Sequence, residues 1–451
     1  MKINSVKINT VKINTADAVT ADTVTDAADA SLPTDQPLQA RIGFFVGKGG
    51  VGKSTLASAT AVAAAQAGER VLVVSTDQAH SLGEVLGVAV APSGSAEPVR
   101  ILTEERDGDN GGGYLDALAL DTLALLESAW RATGPVLAAR FPSSDLSDIA
   151  PEELSSLPGI QEMLGLRRVA ELADSGRWDF LVVDCASTAD ALRMLTLPAA
   201  FGVYAERLWP RHRRLSSGAE DPRTAATVAL IEVLHAGVER LSQLLTREGV
   251  GAHLVLTPER VVAAEAARTL AALAVMGIRV NELIVNQVLF QDDSYEYRNL
   301  PDHPAFEWYA ARIAEQQSVL DELTTTTGDV QLLLTPHLAG EPIGPKALGQ
   351  LLDEARRRDG SAPPGPLRPV VDRESGSGLD AVYRMRLELP PLDATTLSLG
   401  RAGDDLIITV GALRRRVRLA SVLRRCIVVG ATLGGSELTV RFRPDPEVWP
   451  A

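Results

Sequence analysis

The run Gly47-Lys48-Gly49-Gly50-Val51-Gly52-Lys53-Ser54-Thr55 brings together four glycines, two lysines and two hydroxyls. Glycines let successive backbone N–H groups converge on an anion, because they adopt conformations closed to other residues. An ammonium holds phosphate as a compact point charge, which a planar guanidinium does not reproduce. The run is therefore built to cradle the phosphates of a nucleotide. Lys53 would reach the β- and γ-phosphates and Ser54 would ligate Mg²⁺. Lysine usage sharpens the reading. Of 44 basic residues only Lys2, Lys7, Lys12, Lys48, Lys53 and Lys346 are lysines, and two of them lie in this loop. Two aspartates extend the chemistry: Asp77 follows the apolar run Val71–Ser75, and Asp184 ends the run Phe180–Asp184.

Such a loop works only between a strand and a helix, so that the helix N-terminus adds its dipole. Arg41–Val46 reads as a buried strand, and Leu56–Gln66 as an alanine-rich helix stopped by Gly68. Val71–Ser75, Phe180–Asp184, His253–Thr257 and Leu283–Asn286 read as further buried strands. Leu115–Ala139 and Thr224–Thr246 read as amphipathic helices between them. Apolar strands alternating with helices predict an α/β fold, a P-loop NTPase with a mostly parallel sheet flanked by helices. Asp77 and Asp184 then sit at strand ends, where a sheet of this type binds ligand.

The 451 residues divide by composition. Residues 1–40 open on the tandem repeat MKINS-VKINT-VKINT, lack apolar periodicity and read as a disordered N-terminal tail. Residues 41–355 carry the nucleotide motifs. Residues 356–378 are rich in Pro, Gly and Ser and read as a linker. Residues 379–445 alternate in short segments: Tyr383–Leu389, Thr396–Gly400, Leu406–Val410, Arg415–Leu419 and Glu437–Phe442. With hairpin turns at Gly403-Asp404 and Gly434-Gly435 they predict a small all-β domain.

Charge and cysteine count exclude whole classes. A net charge of −14 argues against nucleic acid or an anionic membrane as partner. Two cysteines, Cys185 and Cys426, form neither a disulfide framework nor a four-cysteine zinc site, and a cytoplasmic setting fits. No apolar run reaches the roughly 18–20 residues of an integral membrane span, and no signal-peptide core stands at the N-terminus.

Lys48 makes the loop the GKGGVGK[ST] variant. The chain here resembles the ArsA family of arsenical pump-driving and tail-anchored-protein-targeting ATPases. Ser75-Thr76-Asp77-Gln78-Ala79-His80-Ser81-Leu82 is similar to the family's first switch, usually D-P-A-H-S-L. Asp184-Cys185-Ala186-Ser187-Thr188-Ala189-Asp190-Ala191-Leu192-Arg193 is similar to the second, usually D-T-A-P-T-G-H-T-L-R. Thr257-Pro258-Glu259 through Ile284-Val285-Asn286-Gln287 resembles the segment leading to the adenine contact. The resemblance covers residues 41–355. It implies a homodimer in which Lys48 crosses to the partner's nucleotide. It also implies that Asp77 positions the attacking water, that Asp184 holds Mg²⁺ through its water shell, and that Glu259 contacts nucleotide across the dimer. Asn286 would bond adenine, with Pro336 packing nearby. Residues 379–445 resemble the small heat-shock-protein-like module appended to some ArsA-type ATPases. The arginines Arg414, Arg415, Arg416, Arg418, Arg424 and Arg425 there could meet the acidic ATPase body or solvent.

Departures from the pattern shape the functional expectation. Gln78 replaces the usual proline of the first switch; Ser187, Ala189 and Asp190 replace Pro, Gly and His of the second. Relatives bind zinc between subunits through a CxxC pair, and Phe306-Glu307-Trp308-Tyr309 stands there, so no zinc is expected. Arsenite needs soft thiolates, usually three. Targeting members capture a membrane helix in a methionine-rich groove. This chain has five methionines, and its 195–250 region carries the basic run Trp209-Pro210-Arg211-His212-Arg213-Arg214. The expectation is a cytoplasmic, homodimeric ATPase that couples Mg-ATP hydrolysis to handling a protein client or membrane-protein partner. Two alternatives stay open: the motor subunit of an arsenite or other anion efflux pump, and a nucleotide-gated chaperone or switch with negligible turnover.

Overall fold

A strand that is apolar on both faces is stable only with neighbours on both edges and helices over its faces. Arg41–Gly47 meets that demand at the centre of a ten-stranded sheet in the computed structural model. The structure describes residues 6–7, 40–77, 81–93, 97–104, 112–140, 159–197, 237–238, 240–291, 303–327, 330–358, 369–389, 397–410, 413–434 and 437–449. On one side of Arg41–Gly47 lie Val250–Leu256, Val280–Val288 and Leu332–Pro336, all parallel, then Arg356–Arg357, antiparallel. On the other lie Phe180–Asp184, Arg70–Ser75, Tyr114–Leu120 and Pro92–Ser93, all parallel. Val99–Thr103 adds an antiparallel strand against Tyr114–Leu120. Helices Lys53–Gln66, Thr122–Arg140, Ile160–Ala173, Arg260–Met276, Pro304–Thr327 and Gly344–Asp353 flank the sheet. The chain leaves Arg41–Gly47, runs through Lys53–Gln66 and returns at Arg70–Ser75, yet Phe180–Asp184 is inserted between those two strands. Outside the carboxyl ends of strands split in this way, open α/β sheets take their ligands.

A second core lies in the C-terminal region. Cys426–Gly434, Glu437–Pro444, Val382–Glu388 and Val370–Ser375 form an antiparallel sheet, and Leu397–Ala402, Asp405–Val410 and Leu413–Arg418 form another. Met385, Leu399, Leu406, Ile408, Val440 and Phe442 bury their side chains in this core. The turn at Gly403-Asp404 is a two-residue hairpin closed by the pairing of Ala402 with Asp405.

Four expectations change. Tyr114–Leu120 is a strand, and the helix begins only at Thr122, with Asp121 accepting from the Ala124 N–H at 2.9 Å. Alanine and leucine favour helix, but a slot beside Arg70–Ser75 overrides that preference. The 356–378 stretch carries two strands: Arg356–Arg357 closes the large sheet and Val370–Ser375 joins the C-terminal one. Asp372 there pairs with Arg384 and Arg386, and Glu374 with Arg441, so neighbouring strands hold it by charge. Within the 1–40 tail, Val6–Lys7 pairs antiparallel with Leu433 and Thr432. Trp209–Arg214 and residues 224–236 lie outside the described residues.

The fourth change concerns the arginine cluster. Arg416 and Arg424 pair within the module, with Asp405 and Asp404. Arg415 reaches the ATPase body. Its guanidinium donates to the Ala274 carbonyl at 3.3 Å, in the last turn of Arg260–Met276. A cation suits that end, where the helix dipole is negative. Burial pushes the guanidinium down to about 10, still charged at neutral pH. Gly277 ends the helix at φ +79°, and a Cβ there would stand 2.7 Å from the Arg415 guanidinium. Gly277→Ala should therefore destabilise the chain by about 1–2 kcal/mol from the left-handed backbone alone, with more from displacing Arg415. Denaturant titration of Gly277→Ala, alone and with Arg415→Ala, checks this. The glycine change should cost less in the Arg415→Ala background.

Candidate nucleotide site

The loop after Arg41–Gly47 turns into the helix Lys53–Gln66 through Gly52 at φ +91°, and no side chain caps that helix. Its first N–H groups are thus left for an anion. The tight turn at Gly52 serves a second purpose, because a Cβ there would stand 2.3 Å from Asn286 Nδ2. Asn286, at the far end of its strand, donates to the Val51 carbonyl at 2.9 Å. Its Oδ1 accepts from Thr335 Oγ1 at 2.8 Å and from the Gln287 N–H at 2.9 Å. Asn286 and Thr335 are both buried, so two adjacent strands brace the loop from beneath. Pro336 follows Thr335 directly.

Both loop lysines have protein partners. Lys53 is buried and donates to the Lys48 carbonyl at 3.1 Å. The Lys48 ammonium stands 3.9 Å from the Glu265 carboxylate. Ser54 Oγ lies 3.0 Å from Ser81 Oγ, which ties the loop to the first switch. Gln78, Ala79 and His80 lie outside the described residues.

Asp184 is fully buried. Its Oδ2 accepts from Ser75 Oγ at 3.4 Å, while its Oδ1 has no hydrogen-bond partner among the described residues. Burial pushes its carboxyl up to about 6, against the pull of the Ser54 hydroxyl and the Lys53 charge, and Asp77 adds to the rise. Ser75 Oγ also accepts from the Asp77 N–H at 3.1 Å, so one hydroxyl links both aspartates. An unpaired carboxylate oxygen at such depth suits a hard cation or its water shell, and the oxygen donors of Ser54 and Asp184 match Mg²⁺. No cluster of three His, Cys, Asp or Glu side chains able to hold a metal occurs among the described residues. A magnesium ion here would take most of its remaining ligands from phosphates and water.

The second switch leaves Asp184 through Cys185, whose thiol burial pushes up, and Ser187 then starts the helix spanning 188–197. Ser187 Oγ accepts from the Asp190 N–H at 3.2 Å and donates to Asp190 Oδ2 at 2.7 Å, a reciprocal cap. Arg193 pairs with Asp190 and Glu162. Two of the three substituted residues, Ser187 and Asp190, thus pin the loop locally. Glu259 opens the helix Arg260–Met276 and its carboxylate faces Arg312 at 3.2 Å.

A family model described as "Anion-transporting ATPase" matches residues 40–355, and one described as "HSP20-like domain found in ArsA" matches residues 380–442. The chain belongs to the ArsA family of ATPases. It is 71% identical over 415 residues to Protein Rv2184c of Mycobacterium tuberculosis, spanning 92% of this chain and 98% of that one. It is 24% identical over 394 residues to a protein of Aquifex aeolicus provisionally named arsenical pump-driving ATPase 1, spanning 85% and 95% of the two chains. It is 24% identical over 323 residues to ATPase ASNA1 homolog 1 of Paramecium tetraurelia, spanning 69% and 90%.

In this ArsA-family ATPase the structure gathers Lys48, Lys53, Ser54, Asp77 and Asp184 about one loop. Asn286 lies under that loop, and Glu259 stands at the start of a neighbouring helix. Sequence reading missed Thr335, Ser75, Ser81 and Glu265 as partners of these groups. Thr335, Ser81 and Glu265, and Ser75 in its bond to Asp184, meet partners distant in the chain, so spacing carries no signal for those bonds.

Burial of Asp184 sets a pH dependence. Its folded value, about 6, lies above the ordinary 3.8, so the folded chain holds this proton more tightly than the unfolded one. The stabilisation is complete below about pH 4 and is lost as pH rises through about 6. Asp184→Asn removes the ionisation. Without nucleotide it should be more stable than the parent chain at pH 8, by on the order of 2 kcal/mol, with the gain fading toward pH 4. Urea titrations of both proteins at several pH values check this.

Proposed function

We propose that this ArsA-family ATPase acts as a cytoplasmic homodimer that couples Mg-ATP hydrolysis to the handling of a protein client. The observation that carries the hydrolytic part is the unpaired, buried Asp184 Oδ1 beside Ser54 and Lys53 at the mouth of the glycine loop. The backbone of Gly47, Lys48, Gly49, Gly50, Val51, Gly52, Lys53, Ser54 and Thr55 cradles the phosphates. Lys53 neutralises charge on the transferring phosphoryl group, and Lys48 does so across the dimer. Asp77, at the strand end next to Asp184, orients the attacking water. Ser54 and Asp184 hold Mg²⁺, with Asp77 near its water shell; when bound, the metal draws charge from the phosphate oxygens. Asn286 and Pro336 flank the base, and Asn286 also keeps the loop in register through Val51. Glu259 reaches a partner's nucleotide once released from Arg312.

The dimer and client parts rest on surface chemistry. Phe306 and Trp308 expose their rings near the start of Pro304–Thr327, Trp308 at 66%. These aromatics, two residues apart and so on different faces of the helix end, offer apolar surface for a contact between subunits, without zinc. In the C-terminal module Ile427 and Val429 stand exposed on Cys426–Gly434, near a sheet edge that can accept an extended segment. The relative named ATPase ASNA1 homolog 1 supports the targeting type of client. Arsenite transport fits less well. Cys185 and Cys426 are both buried with thiols pushed up, which disfavours the thiolate that arsenite requires. No helix among the described residues is long and apolar enough to cross a membrane.

Lys53→Ala should abolish nucleotide binding or turnover. Asp77→Asn should keep binding and lose turnover by roughly 100-fold, as for a lost water-positioning group. Steady-state ATPase assays with Mg²⁺ decide it, and undiminished turnover in Asp77→Asn removes Asp77 from the mechanism. For the assembly, Phe306→Asp with Trp308→Asp should leave a folded monomer under conditions where the parent chain with an ATP analogue and Mg²⁺ sediments as a dimer. A dimer unaffected by the double change, or stoichiometric zinc in the purified protein, would contradict the aromatic contact.

A further inference from the structure

Two ammonium groups in one short loop repel each other, and each needs a counter-charge whenever phosphate is absent. Lys53 finds the Lys48 carbonyl at 3.1 Å. Lys48 finds Glu265 at 3.9 Å. Glu265 lies on Arg260–Met276, where Val262, Ala266 and Thr269 of the same helix face Gly47 and Lys48 across a small cavity. Thr188, from the second switch, lines the same cavity. The helix is fixed there: Val262, Ala266 and Thr269 are buried, and Thr269 Oγ1 bonds the Glu265 carbonyl at 3.0 Å. The Glu265 backbone is thus fixed beside the loop, within side-chain reach of Lys48.

A carboxylate at that place opposes phosphate binding, so phosphate chemistry alone gives no reason for it. It makes sense as a stand-in for the anion. We propose that Glu265 is a positioning residue for Lys48: it holds the signature lysine against its own subunit until phosphate arrives, then releases it. This rests on the loop being a nucleotide site. The pair is half exposed on both sides, which makes it a weak restraint that phosphate can outcompete. Glu265 therefore sets how readily Lys48 becomes available and takes no part in the chemical step.

The test is a double-mutant cycle on the full chain, read by titration with a fluorescent ATP analogue at fixed ionic strength. Glu265→Gln should tighten binding by roughly two- to five-fold, the range an exposed ion pair allows. In the Lys48→Ala background only the plain repulsion between Glu265 and phosphate remains, so the tightening should be less than half as large. Equal tightening in both backgrounds, or none with Lys48 present, overturns the proposal. A second readout needs no nucleotide. With six lysines in the chain, ¹³C-dimethyl-lysine NMR resolves them individually, and methylation keeps the charge. Glu265→Gln should move the Lys48 signal and leave Lys346 in place, while Glu265→Asp should give a smaller shift. An unmoved Lys48 signal in folded Glu265→Gln protein also overturns it. A parent chain that takes no nucleotide, yet moves the Lys48 signal in Glu265→Gln, would instead refute the loop's assignment and leave the ion pair standing.

Discussion

A fully buried carboxylate with one oxygen unpaired is costly, and the architecture around Asp184 is organised about that cost. The strand that ends on it lies between Arg41–Gly47 and Arg70–Ser75, so its register brings Phe45 to one side and Ser75 to the other. Ser75 donates a side-chain hydrogen bond to the Asp184 carboxylate and simultaneously accepts from the Asp77 N–H. Lys53 and Ser54, in the first turn of the next helix, supply charge and a hydroxyl. These groups come from two strand ends and one helix start, and only the inserted strand order makes them neighbours. Neutralising Asp184 would relieve the local cost and remove the feature that prepares the site for a cation.

The loop itself was legible because its meaning is local. Glycines, lysines and hydroxyls at fixed offsets fall between an apolar run and an alanine-rich helix, and nothing distant is needed to read them. The resemblance singles out Asn286, but its bond to the Val51 carbonyl was not legible, since the two are far apart in the chain. The same holds for Thr335, Ser81 and Glu265, whose types are unremarkable where they stand. Among the elements, fully apolar strands were plain from the residues. Tyr114–Leu120 was not, because its alanines and leucines also suit a helix and only its neighbours decide. Val370–Ser375 was hidden by the Pro- and Gly-rich residues before it. Its strand pattern shows in alternating charges, which pair with arginines from the next strands.

The two cores are separate, yet one helix touches both halves of the molecule. Arg260–Met276 starts at Glu259, carries Glu265 toward the loop and ends under Arg415 of the module. Arg415 donates to the Ala274 carbonyl, where the helix dipole is negative. That contact is specific in a way surface charge matching is not, since it depends on the absence of a side chain at Gly277. The module is therefore seated at a defined place on the ATPase body.

The inserted strand also governs when the site can exist. During synthesis the glycine loop leaves the ribosome early, but both edges of Arg41–Gly47 wait for partners that come much later, at Phe180–Asp184 and Val250–Leu256. At about 5–20 residues per second that delay reaches about 10–40 s for the second partner. Until then the apolar residues Phe44, Phe45 and Val46 have no sheet to enter. The nascent chain carries a complete phosphate-loop sequence long before it can bind a phosphate, and in that interval it is itself a substrate for the cell's folding assistants.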